Sequence, residues 1–538
     1  MLDGCTPWPA DQAAAYRDAG YWRGTTLGAQ LHALALAHGP RTALVSGERR
    51  ITYRDLDDQV NRYAHGLRAD GIRPGERVVV QLPNIPEFVA VVFALLRLGA
   101  HPVFSVPAHR QQEIIHLCRA SEAAAYVVAD THAGVDYRTL ASDVAAQCDQ
   151  LRRVYVVGRP GPFAPLPEQD PGAPLPDADP ADVAFFLLSG GTTALPKLIP
   201  RTHDDYLHMA HLSAQVCGFS TETVYLAALP AAYTFTFGNP GVLGTLLCGG
   251  TVVLAPTPSP ETCFALIERE HVTATSLVPT VAGLWLEEAE WAQEDLSSLR
   301  LIQVGGGKLD PTRAVQLTET FQCTPQQVFG MAEGLIVCTR LDDSPETITH
   351  TQGRPLSPAD DIKIVDDHDL PVSPGHTGQL LARGPYTLRG YFRTPEHNTA
   401  AFTPDGYYRT GDLVRQTTDG NIVVEGRLKE MINKGGDKVS APEVEQHLCA
   451  HPAISAAAVI AMPDPDLGER VCAFIVASTP APTLAEVRYL LATAGLAPYK
   501  HPDRLETLDE LPVTGLGKID KKALTAVLAR SLTPPTKG

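Results

Sequence analysis

The chain has 538 residues, too many for one hydrophobic core, so two or more domains are expected. Hydrophobic residues make up 44% and charged residues 20%, the balance of a folded globular enzyme rather than a disordered or membrane-spanning chain. A formal net charge of −17 with no dense Lys/Arg run argues against nucleic acid or an anionic membrane as a partner.

The ten cysteines are scattered from Cys5 to Cys472 without a C-x-x-C pair or zinc spacing. In a chain of this length that pattern reads as reduced, buried thiols in a cytoplasmic protein. MLDGCTPWPADQ at the start has neither a basic stretch nor an apolar core, so no signal peptide is expected. No apolar run approaches the roughly 20 residues that span a bilayer.

In chain order, TLGAQLHALALAHG has apolar residues at helical spacing and RTALVSG reads as a strand. ITYRDLDDQVNRYAHGLRADG reads as a strand followed by an amphipathic helix. ERVVVQLPN, PEFVAVVFALLRLGA and HPVFSVP continue as strand, helix and strand, and AAAYVVAD and LRRVYVVG add two more strands. Such alternation implies an open, largely parallel sheet. Residues 158–182 are rich in Pro, Asp and Gly and read as an exposed loop, or a link between two sheet-bearing halves.

Val183 to Leu188 is an apolar run that reads as a buried strand, and SGGTTALPK (189–197) follows it. Glycines let a backbone close on an anion, hydroxyls and amides donate hydrogen bonds to it, and a lysine adds full charge. The pattern G-x-x-x-x-G-K-[ST] does not fit, and by itself this stretch reads equally as a Gly/Thr turn with a solvated lysine. A helix is predicted over 204–216, with short buried strands in GGTVVLAP, ATSLVPT and LRLIQVGGGKL. From about residue 355, DIKIVDDHDLPVSPGHTGQLLARG alternates as an antiparallel β subdomain does. The last part reads as a small α+β domain with helices over 442–450 and 484–494.

Five stretches carry a resemblance: SGGTTALPK, VFGMAE (328–333), YYRTGD (407–412), EGRLKEMINKGGDKV (425–439) and PVTGLGKIDKK (512–522). In this order and spacing the chain resembles the adenylate-forming superfamily. KLIPRTHDDY, QVFGMAEGL, RLDD, DDHD and RGPYTLRGYF narrow the resemblance to stand-alone aryl-acid–AMP ligases of siderophore pathways. The implied architecture is α/β. A large N-terminal domain of two αβ-layered sheets plus a β subdomain (1–428) would carry the ATP and acyl pockets. A small mobile α+β lid (429–538) would carry a catalytic lysine.

The resemblance implies activation of an aryl acid by ATP and Mg²⁺, then transfer to a phosphopantetheine thiol. Ser189, Gly190, Gly191, Thr192, Thr193 and Lys197 would close over the β- and γ-phosphates. Glu333 would help hold Mg²⁺, and Asp412 would accept hydrogen bonds from both ribose hydroxyls. Arg427 would contact the ribose or phosphate near the hinge, and Gly305, Gly306, Gly307, Val328 and Phe329 would wall the adenine slot, with Phe329 on the base and Gly330, Met331, Ala332 and Val424 also in the cofactor-binding set. Lys518 would bridge the substrate carboxylate and the α-phosphate in the transition state. Lys429 matches the hinge, about which rotation would withdraw Lys518 and present Lys434, Gly435 and Gly436 to the thiol.

The acyl pocket departs from the pattern. Tyr233 and Thr234 stand where aryl-acid enzymes have histidine and asparagine, and Asn239 stands for a serine. Gly307 stands for an alanine, and Ala194 for a phosphate-loop glycine. Gly305, Phe235 and Ile336 complete the expected pocket. No carboxylate is present to pair an α-ammonium, so an aromatic or heteroaromatic acid is expected rather than an α-amino acid. No carrier domain follows PVTGLGKIDKK, so the aryl carrier protein is expected in trans. Competing readings are an aryl-CoA ligase, activation of a non-aromatic acid such as a β-amino acid, a luciferase-like oxygenase and a non-catalytic binding protein.

Overall fold

The computed structural model describes the chain except residues 176–177, 190–195, 435–436, 465–466, 495, 497, 515–517 and 533–538. By contacts it divides into two units: residues 1–361 with 382–408, and 362–381 with 409–538. This division groups most of the four-stranded sheet near residues 361–427 with the tail, rather than dividing the chain at 428/429.

The first unit holds two large sheets. One has the strand order Leu198–Thr202, Val183–Leu188, His101–Ser105, Arg77–Gln81, Ala125–Ala129, Arg153–Val157, Ala164–Pro165. The other has nine strands, with Thr324–Gly330, Leu301–Gly305, Ala274–Leu277, Val224–Ala227, Thr251–Leu254 and Thr42–Ser46 side by side and parallel. These strands read as continuous apolar runs because both faces are covered. Helix Pro86–Leu98 shows why: all but two of its residues are buried, with proline in its first turn and Gly99 closing it at φ +77°. It shares one core with Val78, Val80 and Phe104 of the first sheet and Tyr225, Val252 and Leu254 of the second.

The proline-rich stretch 158–182 is not a link between sheets. Both of its flanks belong to the same seven-stranded sheet, and the stretch carries the chain from the edge strand Ala164–Pro165 back to Val183–Leu188, near the other edge. On the way its Gln169 N–H donates to the Arg62 carbonyl at 3.1 Å, and the Pro167 carbonyl lies so close to Gly66 that a Cβ there would stand 2.2 Å from it.

Polar residues inside the nine-stranded sheet are paired across strands. Ser276 donates to Gln303 at 2.8 Å, Gln303 to Gln326 at 2.8 Å, and Gln326 to the Thr339 carbonyl at 2.7 Å. Buried amides are tolerated only when satisfied in this way.

The second unit begins with an antiparallel sheet of Asp361–Val365, Gly378–Arg383, Tyr408–Gln416 and Ile422–Arg427. A single 3₁₀ turn, Leu428–Glu430, leads into a five-stranded sheet. There the period-two rule can be read residue by residue. Ala457, Val459, Val471, Ala473 and Ile475 face helices Ala441–Cys449 and Leu484–Thr493. Ala458, Ile460, Cys472 and Phe474 face Leu524 and Leu528 of helix Lys521–Leu532. Among the described residues no helix is long and apolar enough to cross a membrane.

Candidate active site

The strand Val183–Leu188 and its antiparallel partner Leu198–Thr202 bring the two ends of the 189–197 loop together. The Ser189 amide donates to the Lys197 carbonyl at 3.0 Å, and the Lys197 amide donates to Ser189 Oγ at 2.9 Å. Ser189 is therefore the clasp of the loop. Gly190, Gly191, Thr192, Thr193 and Ala194 lie outside the described residues.

The side chain of Lys197 leads to Glu333. Lys197 Nζ stands 5.6 Å from the centre of the Tyr391 ring, within cation–π range. The Tyr391 hydroxyl donates to Glu333 Oε1 at 2.8 Å and lies 2.9 Å from the Tyr408 hydroxyl. Glu333 is 7% exposed and Tyr391 is 4% exposed. Burial, and then the charge of Glu333, push the Tyr391 phenol up, so it stays protonated and donates. The carboxylate is an acceptor-only oxygen group of the kind Mg²⁺ takes alongside phosphates and water, and it fits a metal-holding role.

Arg201 ties the backbone just before Glu333 to that of Tyr386. It is fully buried and pairs with Asp205 at 2.7 Å. Its Nη1 donates to the carbonyl of Ala332 at 3.0 Å, and its Nη2 donates also to that of Tyr386 at 3.1 Å. Asp205 also closes the capping box with Thr202 that starts helix His203–Val216. Removing the guanidinium strands the Asp205 charge, so Arg201→Met is expected to destabilise the protein by about 3–5 kcal/mol. Urea unfolding measures this; an unchanged midpoint and slope would rule out the clamp.

The residues expected to wall an adenine slot lie at the carboxyl ends of two neighbouring parallel strands, where α/β sheets bind ligands. Gly305 is opposite Val328, and Gly306, at φ +78°, and Gly307 follow, both exposed. Phe329 is half-buried and Gly330 exposed; across the hairpin they pair with Val337 and Ile336. Met331 and Ala332 are half-buried beyond them.

Phe235 packs onto Gly305: a Cβ there would stand 3.0 Å from the Phe235 ring and from the Val328 carbonyl. Gly307 is roomier, its nearest neighbour being Pro279 at 3.4 Å. Tyr233 keeps a buried hydroxyl with no hydrogen-bond partner among the described residues, and burial raises its pKa. The Thr234 hydroxyl, half-buried, likewise has no partner among the described residues. Asn239 is buried and accepts from Ser213 Oγ at 2.8 Å, which ties it to helix His203–Val216.

In the second unit Asp412 and Arg427 are cross-strand partners, and Arg427 Nε donates to Asp412 Oδ1 at 2.7 Å. Asp412 is 2% exposed, and its Oδ2 is buried with no partner among the described residues. Burial raises the Asp412 pKa against the opposing pull of Arg427. Val424 lies on the same sheet, opposite Val414.

Lys518 follows residues 515–517, and its amide and carbonyl close that turn onto Thr514 at 3.3 and 2.7 Å. The residue is exposed. Desolvation, together with the charge of Arg427, lowers its pKa, while Asp412 and Glu430 oppose the shift. Lys518 is thus within electrostatic reach of the Asp412–Arg427 pair. Lys434 is occupied by Asp503 at 2.8 Å, and Asp503 also accepts from the Val471 amide at 3.0 Å. Lys429 lies in the 3₁₀ turn between the two sheets; its side chain lies outside the described residues, as do Gly435 and Gly436.

The AMP-binding enzyme family profile matches residues 31–392, and that of the AMP-binding enzyme C-terminal domain matches residues 443–518. The chain belongs to the AMP-binding enzyme family. A 2,3-dihydroxybenzoate-AMP ligase of Bacillus subtilis is 52% identical over 534 residues, 99% of each chain. A salicyl-AMP ligase / salicyl-S-ArCP synthetase of Mycobacterium tuberculosis is 47% identical, over 99% of this chain and 96% of that one. The apo structure of MbtA from Mycobacterium smegmatis superposes with a TM-score of 0.76 at 46% identity, covering 97% of this chain and 98% of that one.

Tyr391, Tyr408, Arg201 and Asp503 had no role in the sequence reading. The Thr202–Asp205 capping box was visible locally, but nothing near Tyr391 marks Glu333 as its partner, 58 residues away.

Proposed function

We propose that this AMP-binding enzyme activates an aromatic or heteroaromatic carboxylic acid with ATP and passes the acyl group to the phosphopantetheine thiol of a separate carrier protein. The observation that carries the reading is the buried Asp412 carboxylate. One of its oxygens is held by Arg427, the other has no partner among the described residues, and the Lys518 ammonium lies in its field. A carboxylate left short of donors suits a ribose diol.

In the first step the acid's carboxylate oxygen attacks the α-phosphorus of ATP and pyrophosphate leaves. Lys518 neutralises the carboxylate and the α-phosphate oxygens as they approach. Ser189, the 190–194 loop and Lys197 hold the leaving phosphates, and Phe329 and residues 305–307 and 328–332 form the base slot. Glu333 would hold Mg²⁺, which when bound offsets phosphate charge. In the second step the thiolate attacks the acyl carbonyl and AMP leaves. Residues 429–538 turn about Lys429 between the steps, so that Lys434 and its glycines replace Lys518.

The acyl pocket is lined by Tyr233, Thr234, Phe235, Gly305, Gly307 and Ile336, with Asn239 behind it. The hydroxyls of Tyr233 and Thr234 are free to meet a ring heteroatom or ortho substituent. Gly307 leaves room at the floor for a larger ring system.

ATP–pyrophosphate exchange over a panel of aryl and amino acids tests the reading. Exchange with aryl acids, and thioester formation on a holo-carrier protein, is the expected result; exchange with none of the acids refutes it, and transfer to CoA alone replaces the carrier by CoA. Thr234→Asn is expected to shift kcat/KM toward salicylate-like acids by roughly 10-fold, the scale of one pocket contact. An unchanged profile across the same panel would remove Thr234 from the pocket.

A further inference from the structure

Tyr391 stands between two groups that the reaction needs in one place, and it offers each a different face. Its ring lies under the Lys197 ammonium at 5.6 Å, and its hydroxyl donates to Glu333 Oε1 at 2.8 Å. The hydroxyl is itself steadied by the Tyr408 hydroxyl at 2.9 Å, and the Tyr408 ring packs obliquely against the Tyr391 ring with centroids 6.3 Å apart. The backbone is held as well: the Tyr391 amide donates to Asn398 Oδ1 at 2.8 Å, and Asn398 Nδ2 returns a bond to the Tyr391 carbonyl at 2.9 Å. The side chain is fixed at both ends and has little freedom to adopt another rotamer.

We propose that Tyr391 is the positioning residue that sets Lys197 and Glu333 in a common frame, the ring seating the ammonium and the hydroxyl orienting the carboxylate. The inference rests on the reading of Lys197 as a phosphate lysine and Glu333 as a metal carboxylate. Lysine and glutamate side chains each have several rotatable bonds, and two such chains aimed at one triphosphate would otherwise each lose that freedom on binding. A rigid aromatic ring between them confines both before the nucleotide arrives.

The two faces of Tyr391 can be removed separately. Tyr391→Phe keeps the ring and deletes the hydroxyl; Tyr391→Leu deletes both. The readout is calorimetric binding of Mg²⁺ to the protein saturated with a non-hydrolysable ATP analogue, alongside binding of the analogue without metal. Tyr391→Phe is expected to weaken Mg²⁺ binding on the order of 10–100-fold, the usual consequence of losing a partner that orients a metal-bound carboxylate, and to leave metal-free nucleotide affinity unchanged. Tyr391→Leu is expected to weaken metal-free nucleotide binding as well, because Lys197 loses its seat.

Glu333→Gln is measured in parallel. If it weakens Mg²⁺ binding and Tyr391→Phe does not, the positioning role is overturned while the Glu333 reading stands. If neither substitution changes Mg²⁺ binding, the Glu333 reading falls and takes the inference with it. Equal losses of metal-free nucleotide affinity in the Phe and Leu variants, at unchanged Mg²⁺ affinity, would also overturn it, since the two faces would then have no separate effects.

Discussion

Replacing Lys518 with alanine is expected to lower the adenylation rate by about 100- to 1000-fold or more while leaving ATP binding within a few-fold of the parent. The effect is large because the residue acts where two anions meet. Removing one preorganised charge from a developing oxyanion typically has an effect of this size, and here the substrate carboxylate and α-phosphate both depend on it. ATP binding is spared because the ribose, the base and the leaving phosphates are assigned to Asp412, Phe329 and the 189–197 loop. The Lys518 pKa is lowered by desolvation and Arg427. Its charged form is therefore lost at lower pH than that of a free lysine, near 10.4. Adenylation that needs the ammonium should accordingly fall on the alkaline side earlier than a solvated lysine would allow, and bound anionic nucleotide should move that limb back up. Pyrophosphate exchange against pH, with equilibrium ATP binding beside it, makes the measurement. Parent-like exchange in Lys518→Ala would exclude the role.

Asp412→Ala should act on the other side of the split, raising the ATP dissociation constant by roughly 100-fold. Hydrogen bonds to a charged acceptor contribute about 1.5–3 kcal/mol each, and a ribose presents two. The structure supplies the reason: Oδ2 is buried without a partner among the described residues, and the carboxyl pKa is raised by burial. A group kept short of donors gains most when donors arrive. Nucleotide analogues separate this from a folding effect. The parent should lose affinity for 2′- or 3′-deoxy ATP, whereas Asp412→Ala should bind ATP and deoxy ATP alike. Continued discrimination between them in the variant would move the ribose contact elsewhere. Arg427 would then be left facing an alanine, so thermal melting must accompany the titration to show that the sheet is intact.

Much of the architecture was legible because its signals are local. The apolar runs within 454–464 and 468–477 suit strands of a small α+β domain, and the structure covers the two faces of those strands with different helices. The apolar run 86–98, with proline at one end and glycine at the other, reads as a helix, and the structure has that helix, buried nearly all round. The 189–197 stretch has the composition of an anion-binding turn, and the clasp between Ser189 and Lys197 puts its two ends together.

What the amino-acid order determined by itself was therefore the elements and the motifs that carry the family resemblance. Tertiary structure alone decided who stands beside whom. Strand Thr42–Ser46 joins Thr251–Leu254 across two hundred residues of chain, stretch 158–182 returns to the sheet it left, and Arg201 reaches the Tyr386 carbonyl 185 residues on. Tyr391 meets Lys197 and Glu333 in the same manner. Periodicity reports only which side of an element is buried, whereas pairing depends on the shapes that close-packed elements leave for one another, and those exist only once the whole core has formed.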